Sequence, residues 1–139
     1  MAITKTPLTA AQKAKQKMIN GLDLQPIVQI TRQEENWTAK QASDAELWYK
    51  NFLFMAYLSW PNPVFAMDRL ADKLWHNHIL DTVRYKADCD AIFGAGKFLD
   101  HHPIVGQPTK AQSAAMVASL NQSVNLFGTI PFDLCSGCW

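Results

Sequence analysis

Apolar residues recur along this chain at three- and four-residue spacing, and no stretch sustains an alternation of period two. The pattern predicts helices throughout. Thr9 precedes a run over residues 10–19 rich in Ala, Lys and Gln, which are good helix formers, and Asn20-Gly21 supplies a stop. From Asp23 the chain carries Pro26, then Ile27, Val28 and Ile30, and continues to Glu35 without a breaker. A short helix with proline in its first turn is favoured there over an extended connector. Ser43-Asp44-Ala45-Glu46 has the form of a capping box and predicts a helix from that point to about residue 59. Leu47, Trp48, Phe52, Leu53, Phe54, Met55, Tyr57 and Leu58 leave that helix little polar surface, which makes it central. Trp60-Pro61-Asn62-Pro63 ends it.

One long helix is then expected from residue 64 or 67 to residue 93, on the spacing of Leu70, Leu74, Ile79, Leu80, Val83 and Ala87, with Gly94-Ala95-Gly96 as its stop. Thr109-Lys110-Ala111-Gln112 reads as a second capping box. It opens a helix to about residue 126, with Met116, Leu120, Val124 and Phe127 on one side and Gly128 just past its end. Residues 129–139 form an irregular tail. The predicted class is all-α: a compact bundle of four to five helices with a cysteine-containing C-terminal tail, in one domain over residues 1–139.

Composition narrows the functional classes. The chain has 139 residues, 48% of them apolar, enough to bury a core. A net charge of +1 lacks the basic excess of a nucleic-acid surface. The longest apolar run, residues 52–60, is too short to span a membrane. The lysine-dotted start has no apolar signal core, so a cytoplasmic location is expected. Three cysteines, an odd number, do not make a secreted disulfide framework.

The candidate chemistry sits between Asp72 and the tail. His76 and His78 lie two apart, so on an intact helix they are about 200° apart and cannot easily share one ion. Asp72, four residues before His76, can accept a hydrogen bond from one of its nitrogens and leave the other for a metal or a proton. Asp81 or Thr82 can serve His78 in the same way. Further ligands would come from His101 and His102 in a loop between Gly94 and Pro108, or from Cys135-x-x-Cys138, half of a zinc or redox site. The candidate metal ligands are therefore His76, His78, His101, His102, Cys135 and Cys138, with one zinc ion as the expected cofactor and iron or copper left open. Trp75, Tyr85 and Cys89 read as core residues. On one straight helix His78 and Cys89 stand about 16 Å apart, too far to work together.

The run from Pro63 to Pro103 resembles the glycine-rich-domain-containing-protein-like family. The residues that carry the resemblance are Pro63; Asp72, Trp75, His76, His78, Thr82 and Tyr85; Asp88 and Cys89; Phe93 and Gly94; and His102 and Pro103, with a weaker match at Phe127, Gly128 and Pro131. It extends over about residues 43–132. In the plant proteins of that family the domain precedes glycine-rich regions; this chain has six glycines and no such extension. The resemblance implies no reaction.

Three functions follow from the residues. The first is a small helical metal-binding protein. The second is a metal-free interaction module that presents its C-terminal tail to a protein partner. The third is an enzyme with His76 or His78 as general base and a cysteine as nucleophile, which ranks lowest because no phosphate loop, nucleophile elbow or His-Glu-x-x-His is present.

Overall fold

The computed structural model describes residues 7–65, 68–101 and 106–131. Six helices follow one another: α1 (Ala10–Asn20), α2 (Gln25–Glu35), α3 (Ala39–Ser59), α4 (Arg69–Leu80), α5 (Thr82–Phe93) and α6 (Lys110–Phe127), with no strand among the described residues. The all-α expectation holds. The tail, with Cys135 and Cys138, and His102 in the loop before α6 lie outside the described residues.

Local signals account for most helix ends. Thr9 and Gln12 form a reciprocal capping box at the start of α1, and Thr109 and Gln112 form the same box at the start of α6. Pro26 sits in the first turn of α2, where its missing N–H is not needed. Gly128 closes α6 in the left-handed conformation, with φ 78° and its N–H on the Val124 carbonyl. The start of α3 differs from the sequence reading. Thr38 and Gln41 make the capping box, and the helix begins at Ala39, so Ser43 and Glu46 lie inside it. Both boxes satisfy the same pattern. Starting at Thr38 adds a turn whose Ala42 is buried.

The predicted long helix is two. Asp81 ends α4 and caps α5, with φ −83° and ψ 76° and its carboxylate accepting from the Arg84 N–H at 3.3 Å. Short polar side chains such as aspartate favour caps because they satisfy the orphan N–H groups of a new helix. The apolar spacing of residues 70–87 does not register such a break.

At the centre is α3, whose residues from Phe52 to Ala56 are all buried. It packs against α4 and α1, while α2 lies against α4 and α5 folds back on α4. Phe52 meets Trp75 with ring centroids 4.7 Å apart. Asn77 on α4 donates to the Thr31 hydroxyl on α2 at 2.7 Å. The last helix attaches through the edge of Phe127 against Trp48 and through Ser119, which accepts from the Phe65 N–H at 3.0 Å. Its expected apolar face is only partly buried; Ser119 and Ser123 make the closest approach. No helix among the described residues is long and apolar enough to cross a membrane.

Candidate metal centre

Asp68 starts α4 by accepting the Ala71 N–H at 2.8 Å, which sets the register of the two turns that follow. Asp72 and His76, one turn apart, then share a face. His101 comes from the non-helical segment after α5 and joins them. One donor atom from each of Asp72, His76 and His101 lies within 4.8 Å of the others. Asp72 Oδ1 is 3.4 Å from His101 Nε2, and Asp72 Oδ2 is 3.3 Å from His76 Nδ1. Charge-assisted hydrogen bonds run about 2.7–2.9 Å, so these contacts are long. Two ligands held about 2.0–2.1 Å from a tetrahedral ion stand about 3.3 Å apart, close to the Asp72–His101 gap.

The histidine rings are held from several sides. His76 Nδ1 is 2.7 Å from the Asp72 backbone carbonyl, which can only accept. In the neutral ring this contact keeps the proton on Nδ1 and leaves the Nε2 lone pair to bind. The His101 ring lies against Trp75 at 4.4 Å and against His76 at 4.5 Å between centroids. Burial lowers the pKa of His101, and the nearby His76 lowers it further, against the opposing pull of Asp72. A neutral imidazole is the form that ligates. The side chains of Asp72 and His101 are each 13% exposed and that of His76 is 50% exposed, so the cluster opens to solvent on the His76 side.

His78 is elsewhere. It is 1% exposed, and both ring nitrogens are engaged. Tyr49 Oη lies 2.6 Å from Nδ1 and Asp88 Oδ2 lies 2.8 Å from Nε2. A carboxylate accepts, so Nε2 carries a proton, and in the neutral ring Nδ1 accepts from the phenol. Burial raises the Tyr49 pKa well above the usual value, which keeps that phenol protonated. His78 thus has no lone pair to offer a metal. Its separation from His76 is the one the helical turn predicts, but its partner is Asp88 rather than Asp81 or Thr82. Asp81 instead pairs with Arg84 at 3.3 Å. Asp88 reaches His78 because the helix breaks at Asp81; on a straight helix ten residues span about 15 Å. The same break removes the straight helix that placed Cys89 about 16 Å from His78. Tyr85, one turn before Cys89 on α5, has its ring 4.9 Å from that of His78.

Trp75, Tyr85 and Cys89 are buried. Trp75 Nε1 donates to Tyr85 Oη at 3.0 Å, and Tyr85 Oη donates to the Leu99 carbonyl. Burial raises the pKa of the Cys89 thiol. A buried thiol of raised pKa is a poor nucleophile. Sequence reasoning missed Tyr49 and Asp88 as partners of His78, and it cast Asp72 as a support for His76 when its carboxylate also faces His101. The i, i+4 spacing of Asp72 and His76 was the one local signal for this centre.

The sequence model of the UCP032817-like family matches residues 14–122, more than three quarters of the chain, and the protein belongs to that family. This corrects the resemblance to glycine-rich-domain-containing proteins, which nothing in the match supports. A Trp-His-x-His segment at helical spacing largely describes how α4 packs, and such packing patterns do not mark one family. The matching region starts in α1, well before the segment that carried the resemblance. No curated protein and no solved structure matches the chain.

Proposed function

We propose that this protein binds one divalent transition-metal ion through Asp72, His76 and His101. The observation that carries the reading is the convergence of a carboxylate and two imidazoles, from one helix and one distant segment, within 4.8 Å. Zinc is the first choice for this donor set, and two histidines with one carboxylate also suit iron(II). Three protein donors leave a coordination position for water or a small oxygen-containing ligand, the arrangement of a reactive rather than a purely structural ion. Exposure on the His76 side gives such a ligand its approach.

The test is elemental analysis of untagged protein, followed by zinc and iron(II) titration of the chelator-treated chain. The expected result is about one metal per chain in the wild type and loss of the metal in His76→Ala and His101→Ala, with His78→Gln retaining it if the variant folds. Wild-type protein that takes up neither metal would overturn the reading.

A further inference from the structure

We infer that Tyr85 is a positioning residue of this centre, holding His101 at Asp72 and His76 through the Leu99 carbonyl; the inference rests on the metal-binding reading above. Two of the three donors need no help, since α4 fixes Asp72 and His76 by helical geometry alone. The third comes from backbone with no helical ladder to hold it, and a donor there is only as well placed as the anchors of its segment.

Those anchors converge on α5. Gly96 N–H bonds to Asp90 Oδ1 at 3.0 Å and Lys97 N–H to the Gly94 carbonyl at 3.0 Å, which ties the start of the segment to the end of the helix. Nearer His101 the contacts pass to Tyr85. The Phe98 ring packs edge-on against the Tyr85 ring with centroids 4.9 Å apart. The Tyr85 hydroxyl donates to the Leu99 carbonyl. That hydroxyl is itself oriented by the Trp75 Nε1–H, and the Trp75 ring packs against the His101 imidazole with centroids 4.4 Å apart. Tyr85 and Trp75 thus hold the segment at two points, Leu99 and His101, that are two residues apart. Such a span is at most about 7 Å of chain. With the phenol proton gone, the Leu99 carbonyl loses its buried partner, and among the described residues His101 keeps its ring contacts with Trp75 and His76 and its contact with Asp72. Tyr49 supplies a matched comparison. Its phenol is also fully buried and also makes one short hydrogen bond, but to His78, which does not face the centre.

The experiment is a zinc titration by calorimetry, with cobalt(II) absorption as a second probe, on the full-length wild type, Tyr85→Phe, Tyr49→Phe and Phe98→Ala. Partners that orient a ligand typically contribute about 10–100-fold in metal affinity. The expected result is that Tyr85→Phe weakens binding by about that factor at unchanged stoichiometry. Tyr49→Phe binds as the wild type does, although both variants melt earlier. Phe98 is 47% exposed, so Phe98→Ala keeps the core intact and tests the same anchor if Tyr85→Phe does not fold; it too binds more weakly. Tyr85→Phe binding as tightly as wild type overturns the inference and leaves the centre standing. So does an equal loss in Tyr49→Phe, which would reduce the effect to general loosening. If Tyr85→Phe does not fold, unchanged binding by Phe98→Ala overturns it in the same way. A wild type that binds none of zinc, cobalt(II) and iron(II) overturns the centre and this inference together.

Discussion

The Tyr49 hydroxyl lies 2.6 Å from His78 Nδ1, in a pocket of the core where neither ring meets solvent. This contact joins α3 to α4 and separates the two histidines of the Trp-His-x-His segment into different roles. His78 is spent on holding helices together, with Tyr49 on one nitrogen and Asp88 of α5 on the other. His76, two residues earlier, is left for the surface cluster.

Removing the phenol proton isolates that structural role. Tyr49→Phe leaves His78 Nδ1 buried without a donor, and a buried polar atom left unsatisfied costs about 1–3 kcal/mol. Urea denaturation is expected to show a loss of that size, with the metal content of the purified protein unchanged.

The two candidate capping boxes near the start of α3 make opposite predictions. Thr38 is the residue whose hydroxyl accepts the Gln41 N–H, at 3.1 Å. Thr38→Ala should therefore destabilise the fold by about 1 kcal/mol. Ser43 lies inside the helix, and Ser43→Ala should change stability by less than about 0.5 kcal/mol, since alanine is the better helix former there. Thermal melts of the two variants compare them directly. A larger loss in Ser43→Ala would move the start of α3.

Alkaline pH acts through Tyr49 and Tyr85. Burial is the main cause of a raised pKa in both, so each folded phenol holds its proton more tightly than the unfolded one. The unfolded phenols ionise near pH 10. The stabilisation is complete below that value and falls as pH rises above it, because only the unfolded chain releases these protons. Phenolate absorbance and helical circular dichroism followed together should show two of the three tyrosines ionising only as helicity is lost. Ionisation of all three in a fully helical protein would contradict the burial.

Cys89 is 2% exposed, and its raised pKa keeps it a thiol at neutral pH. In the double variant Cys135→Ala/Cys138→Ala it is the one cysteine left. Ellman's reagent should find no reactive thiol in that native protein and one per chain after denaturation. Rapid native reaction would return Cys89 to consideration as a nucleophile.

The features that the amino-acid order determined are those that act within one or two helical turns. Thr9 with Gln12, Thr109 with Gln112, Pro26 in a first turn and Gly128 past a last one mark helix ends through contacts three or four residues long. The density of apolar residues around Phe52 made α3 central because a helix with no polar face has to be surrounded. The angle between His76 and His78 followed from the turn per residue. The break at Asp81 was not legible, because an aspartate without Gly or Pro beside it suits an exposed helical turn as well as a cap. It depends on α5 turning back so that Asp88 and Tyr85 reach His78 and Trp75. The centre itself was half legible. Asp72 and His76 are one turn apart, but His101 is 29 residues from Asp72, and Tyr49 is equally far from His78. Contacts at that range carry no periodic signature. They exist only when the helices have packed, because the burial of Trp75, Tyr85 and Phe52 sets where each segment comes to rest.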